Sequence, residues 1–180
     1  QEQWIAARAE RILPVRHFHV IFTLPSELRR LAKGHPADLY HAFFRVVGEI
    51  LEELGRTRLQ ATLRWTMVLH TWRRDLGYHP HLHVLVTAGG LLLDGSAFRP
   101  VRGNYLFPGE VMGTLLKGKM LDALRVLFAK GAFPELAEAA FNILMASAAR
   151  HKSWVVHAQP PFRDASHLLG YYVAPENMWS

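Results

Sequence analysis

The chain has 180 residues, half of them hydrophobic, no cysteine, and 21 Lys and Arg against 15 Asp and Glu, for a formal charge of +6. That length suits one domain with a real core, and that apolar share excludes a largely disordered chain. No apolar run is long enough to cross a bilayer, disulfides and thiolate metal sites are excluded within the segment, and the basic balance suits a polyanionic partner, most often nucleic acid.

The start, Gln1-Glu2-Gln3-Trp4, lacks the charged and apolar regions of a signal peptide, and the missing initiator Met suggests a processed protein or an excised fragment. Residues 3–12 read as a helix, with Ile5, Ala9 and Ile12 at helical spacing and Pro14 ending it. Residues 16–24 alternate. Phe18, Val20, Phe22 and Leu24 share one face, and His17, His19, Ile21 and Thr23 share the other, so a strand is predicted, closed by Pro25. Ser26 is placed to cap a short helix running to about Lys33. Gly34-His35-Pro36 breaks the chain. Asp38 to Leu54 then carries an apolar stripe of Leu39, Phe43, Val46, Val47, Ile50, Leu51 and Leu54, with Gly55 as its stop.

Ala61 to Leu69 reads as a second strand and His81 to Thr87 as a third, joined as a long hairpin, with Gly89-Gly90 ending the third. Leu91 to Asp94, turning at Gly95-Ser96, suggests a small ribbon, and residues 99–108 read as irregular. A helix is predicted over Val111 to Lys130, with Lys117, Lys119, Arg125 and Lys130 on a basic side. Pro134 is placed to open another helix reaching about Arg150. Trp154 to Ala158 reads as a short strand. Asp164 to Val173 reads as a last helix, capped by Asp164 or Ser166 and ended by Pro175. The order predicts an α+β domain over residues 1–180, an antiparallel sheet with helices packed against it.

The most informative stretch is Tyr78-His79-Pro80-His81-Leu82-His83. In a strand His81 and His83 point to one side and Leu82 to the core. Two parallel imidazoles one strand step apart suit one metal ion. A third ligand is needed, and His70 is the best candidate, because the hairpin returns it beside the pair. His79 is a possible substitute, although Pro80 disturbs the strand there. His19, His41, His151 and His157 read as ordinary hydrogen-bonded core or surface residues.

His81-Leu82-His83 resembles the signature of the HUH endonucleases, in which two histidines flank a bulky hydrophobic residue. Three longer stretches resemble the transposases of rolling-circle insertion sequences, in the family's order: Phe18-His19-Val20-Ile21-Phe22-Thr23-Leu24-Pro25, Val68-Leu69-His70-Thr71-Trp72 and Tyr78-His79-Pro80-His81-Leu82-His83. So do Lys117 to Leu124 and Trp154 to Phe162. The resemblance covers nearly the whole chain. It implies an HUH-type fold and a bacterial cytoplasmic, DNA-associated enzyme that nicks single-stranded DNA. In that chemistry a tyrosine becomes linked to the 5′ end, a 3′ hydroxyl is released, and a second transesterification rejoins strands. The metal role carries over to His81 and His83, with His70 completing the set.

The family's tyrosine lies in a helix near the end of the domain, here Leu168-Leu169-Gly170-Tyr171-Tyr172-Val173. The family shows two tyrosines four positions apart. Leu168 stands where the first would be, so this chain keeps one. Tyr172 is the expected nucleophile and Tyr171 the alternative, since on a helix the two point about 100° apart. The family's cysteine-rich, zinc-finger-like segment is expected to be missing before Gln1.

A phenol with an ordinary pKa of about 10 needs a base or a nearby positive charge to attack at neutral pH. No general base is identified; Asp75 and Gln159 are the only side chains offered. The nitrogen-rich ligand set suits Mn, Co, Ni or Zn, and Mg is abundant and compatible through phosphate and water oxygens, so Mg²⁺ or Mn²⁺ leads the expectation. Arg73 and Arg74 beside Trp72 combine charge with a stacking surface for single-stranded DNA, and Arg99, Arg102 and Lys117 extend a track for its backbone. Two rival readings remain: a hydrolase using metal-bound water, and a DNA-binding fragment without catalysis.

Overall fold

The structure is a computed structural model, and it describes residues 13–72 and 77–162. The expected helix over residues 3–12, the residues Arg73, Arg74 and Asp75, and the expected helix over Asp164 to Val173 with both tyrosines lie outside the described residues.

The architecture is α+β, as expected. Among the described residues seven strands form two antiparallel sheets: β1 (His17–Thr23), β2 (Ala61–Thr62), β3 (Trp65–Trp72), β4 (Tyr78–Thr87), β5 (Gly89–Leu92), β6 (Phe98–Pro100) and β7 (Val156–Ala158). The larger sheet has the order β3-β4-β1-β7 and the smaller β2-β5-β6. The helices are α1 (Arg29–Gly34), α2 (Pro36–Leu54), α3 (Gly109–Ala129) and α4 (Glu138–Ala149).

Alternation in β1 buries Phe18, Val20 and Phe22 fully, and β4 adds Leu82, Val84 and Val86 on the same side. The α2 stripe, with Leu39, Phe43, Val46, Val47, Ile50 and Leu51 all at 0% exposure, packs on that face together with Met112, Leu116, Met120 and Leu124 of α3. Burying this many large side chains, at roughly 1.5–3 kcal/mol each, fixes the sheet's orientation. Slipping β1 by one residue would turn Phe18, Val20 and Phe22 out and drive the histidines inward.

Several local expectations are corrected. The predicted strand 61–69 is divided, because Ala61 and Thr62 pair with Leu92 and Leu91 in the small sheet while β3 starts at Trp65 in the large one. Gly89 and Gly90 do not end pairing but begin β5. A Cβ at Gly89, whose φ is +147°, would sit 2.5 Å from the Arg99 carbonyl oxygen, and one at Gly90 would sit 2.4 Å from that of Thr62. Only glycine allows the backbone to pass so closely from one sheet to the other. Gly55 is right-handed helical, and the chain continues through a π turn, Gly55–Leu59, before Gln60 stops it in the left-handed region at φ 51°.

Ser26 is not a cap. A 3₁₀ turn, Ser26–Leu28, precedes α1, and the Ser26 hydroxyl donates to Glu27 Oε2 at 3.1 Å instead. Pro134 does not open α4, which starts at Glu138. It sits instead in a turn closed by the Leu136 N–H, which donates to the Phe133 carbonyl at 3.0 Å. Pro134 takes the second position of that turn, where a fixed φ is favoured. Residues 99 and 100, expected to be irregular, end β6.

Candidate metal centre

The register of β3 on β4 sets His70 directly opposite His81, and Val68 opposite His83. Directly opposed residues of antiparallel strands share a face, and period-two alternation puts His81 and His83 together. The three imidazoles therefore stand on the side of the sheet opposite the core. A register shift between His70 and Trp72 begins just beyond them. Ring centroids are 4.4 Å apart for His70 and His83, 4.8 Å for His81 and His83, and 5.5 Å for His70 and His81.

One ring nitrogen from each of the three lies within 4.8 Å of the others, and all three side chains are half-buried. Two nitrogens each about 2.1 Å from one ion are at most about 4.2 Å apart, so the rings reach ligand distance by inward rotation on the order of 1 Å. The residues present thus fit a divalent cation, with positions left for other ligands. Among the described residues this is the one such grouping of His, Asp and Glu.

Electrostatics favour the ligand form. Burial pushes His81 down to about 4 and His83 down to about 2, with repulsion from the neighbouring imidazoles adding to it. Both are therefore neutral at physiological pH, with a lone pair on one ring nitrogen.

Hydrogen bonds say which nitrogen. His81 Nδ1 lies 2.6 Å from the His79 carbonyl oxygen, which can only accept, so Nδ1 carries the hydrogen and Nε2 the lone pair. His79 is itself held by Arg29, whose Nη2 donates to its Nδ1 at 2.9 Å. His79 does not join the converging set, and its carbonyl instead orients a neighbour that does. At the start of β4 the Tyr78 and Tyr40 hydroxyls are hydrogen-bonded, which ties the strand to α2.

His19, an ordinary histidine by its sequence pattern, is buried at 2% exposure but lies outside the hydrophobic core. Its place matters nonetheless. His19 Nε2 lies 2.8 Å from His83 Nδ1, the two rings lie nearly in one plane with centroids 5.1 Å apart, and His19 Nδ1 lies 3.0 Å from Gln159 Oε1. Burial lowers the His19 pKa as well. The local signal is the parity of β1, which puts His19 on the face away from the core. What local pattern lacks is the pairing of β1 with β4, in which Ile21 meets His83 and His19 meets Leu85. His41 and His157 are exposed, and His151 Nε2 lies 2.8 Å from Glu27 Oε1 at the surface.

Of the residues expected to meet DNA, Trp72 is 47% exposed at the end of β3, its ring edge-on to Tyr78 at 5.6 Å. Arg99 lies on the small sheet and donates to the Leu59 carbonyl at 2.8 Å. Arg102 is exposed. Lys117 on α3 donates to the His151 carbonyl at 2.8 Å and the Lys152 carbonyl at 3.1 Å. Arg73, Arg74, Tyr171 and Tyr172 lie outside the described residues. Gln159, offered as a base, is instead the acceptor for His19.

Residues 65–174 match the sequence profile of a family described as "Putative transposase". The chain is 32% identical over 178 residues to a protein of Sinorhizobium fredii named putative transposase y4qJ, covering 94% of this chain and 44% of the relative. It is 37% identical over 92 residues to the transposase for insertion sequence element IS801 of Pseudomonas savastanoi pv. phaseolicola, covering 50% of this chain and 22% of that protein. The chain thus spans less than half the length of these relatives. No solved structure matches it.

Proposed function

The chain belongs to that family of putative transposases, and from this premise we propose that it nicks and rejoins single-stranded DNA at the ends of an insertion sequence, with a tyrosine as nucleophile. The observation that carries the reading is the convergence of His70, His81 and His83 on one face of the sheet. The names of the relatives, one of them the transposase of an insertion sequence element, support the reaction class.

In this reading His70, His81 and His83 hold Mg²⁺ or Mn²⁺, with Zn, Co or Ni also suited to their nitrogens. When bound, the cation supplies positive charge at the scissile phosphate, which reduces the repulsion that an anionic diester presents to a nucleophile. The phenol oxygen of Tyr172 forms a bond to phosphorus as the bond to the 3′ oxygen breaks. The proton lost by the phenol is balanced by the one gained at the 3′ hydroxyl. Reversal by another 3′ hydroxyl rejoins DNA without ATP, because phosphotyrosine keeps the ester. Tyr171 is the alternative nucleophile. Trp72 offers its exposed ring for a base to stack on, and Arg73, Arg74, Arg99, Arg102 and Lys117 supply cationic groups for phosphates. We take residues 1–180 as one catalytic domain.

The test incubates the protein and Mn²⁺ with labelled single strands carrying the ends of its element and resolves products on a denaturing gel. A protein–DNA adduct that disappears in Tyr172→Phe and persists in Tyr171→Phe is the expected result. Cleaved DNA without an adduct, unaffected by either change, would instead indicate a water-using hydrolase. Retarded but uncut DNA in a native gel would indicate binding alone.

A further inference from the structure

We propose that His19 and Gln159 are positioning residues that lock His83 in the tautomer and ring orientation needed for its Nε2 to act as a metal ligand. The inference deepens the proposed function and rests on its metal site.

Donors and acceptors decide the tautomers. Gln159 Oε1 accepts, so His19 Nδ1, 3.0 Å away, carries a hydrogen. A neutral His19 then has its lone pair on Nε2. That nitrogen lies 2.8 Å from His83 Nδ1, a good hydrogen-bond length, so His83 Nδ1 must be the donor. One hydrogen on Nδ1 leaves the basic lone pair of His83 on Nε2. The order Gln159, His19, His83 therefore has a single polarity from one end to the other.

The backbone holds this order in place. The Gln159 N–H donates to the His19 carbonyl at 2.9 Å, directly after β7, and β1 lies between β7 and β4. The relay thus runs across three neighbouring segments and ends at a ring of the converging triad. The His19 and His83 rings lie within 8° of each other's plane, edge to edge with centroids 5.1 Å apart, so the hydrogen bond lies in the plane of both rings and sets the angle of the His83 ring as well as its tautomer. His81 is held in the same sense by the His79 carbonyl. Both candidate ligands on β4 thereby present Nε2. Partners of this kind fix the tautomer of metal-binding histidines, and losing one typically weakens metal affinity by about 10–100-fold.

The test has two readouts. In the chelator-treated protein, long-range proton–nitrogen NMR reads the His83 tautomer, and the expected state is hydrogen on Nδ1. In His19→Phe that state is lost. Mn²⁺ binding, followed by the electron paramagnetic resonance signal of the free ion, is expected to weaken by about 10–100-fold in His19→Phe and in Gln159→Leu, and to stay within roughly threefold in Gln159→Glu, which keeps the acceptor. Gln159 is exposed, so its variants keep the fold even if His19→Phe does not. A purely structural role would lower the melting temperature of the metal-free protein and leave Mn²⁺ affinity alone. Hydrogen on Nε2 of His83 in the unaltered protein, or unchanged affinity in Gln159→Leu, overturns the relay. If the unaltered protein binds no divalent cation, the metal-dependent reading fails, and the nitrogen spectrum still decides the relay by itself.

Discussion

Replacing His83 by glutamine should make the metal-free protein less sensitive to acid. Burial, with repulsion from His70, His81 and His19, lowers the His83 pKa from 6.5 to about 2 in the folded state. The unfolded chain binds this proton near 6.5 and the folded protein does not. Between those values the unfolded state carries more protons, so stability falls as pH falls. From about pH 7 to about pH 5 the loss from this one group is at most about 2 kcal/mol. Any folded value well below 5 gives the same result, because over that interval the folded ring stays neutral. Glutamine fills much of the ring's volume and does not titrate. Urea unfolding of both proteins in EDTA, at the two pH values, gives a double difference in which distant groups cancel and the coupled imidazoles of His70, His81 and His19 enter only through their change on losing His83. The unaltered protein should lose about 2 kcal/mol more than His83→Gln on acidification. A double difference below roughly 0.5 kcal/mol would show that His83 is not held neutral by its surroundings.

Saturating Mn²⁺ should raise the melting temperature of the unaltered protein, by up to about 3 kcal/mol at a hundredfold excess over Kd, or roughly 5–10 °C for a domain of this size. His70→Ala should remove most of that shift in scanning fluorimetry, and an undiminished shift would exclude His70 as a ligand. Gly113→Ala should destabilise although alanine favours helices by about 1 kcal/mol, because the added Cβ would lie 2.1 Å from the Trp154 carbonyl oxygen. A net loss of about 1–3 kcal/mol in urea is expected, and a gain would mean that α3 can move away from the segment before β7. Gln60→Gly should be neutral or stabilising by up to about 1 kcal/mol, since Gln60 holds φ 51° and ψ 40°, a region costly for a residue with a Cβ. The same urea assay reads it.

Local period governs what can be read from sequence here. The stripe of α2 and the alternation of β1 both predict the buried side chains, because each element presents one face to one core. The convergence of His70 with His81 and His83 follows from a hairpin, where short connection and parity nearly determine who faces whom. The division into two sheets is hidden, since the break at Leu63-Arg64 carries no local signal and the close backbone approach at Gly89 and Gly90 is a tertiary fact. Helix starts fail where no side-chain cap exists, as at Ala137 before α4. The contact of His19 with His83 depends on two strands separated by a long stretch of chain, and no local pattern encodes that register.

The three converging imidazoles all come from one β-hairpin, residues 70 to 83, and so are close neighbours along the polypeptide itself. Only a short loop must close to gather them, which costs little entropy even in a denatured chain. To the extent that a denatured chain also binds an ion through them, that ion stabilises the native state by less than its native affinity alone implies.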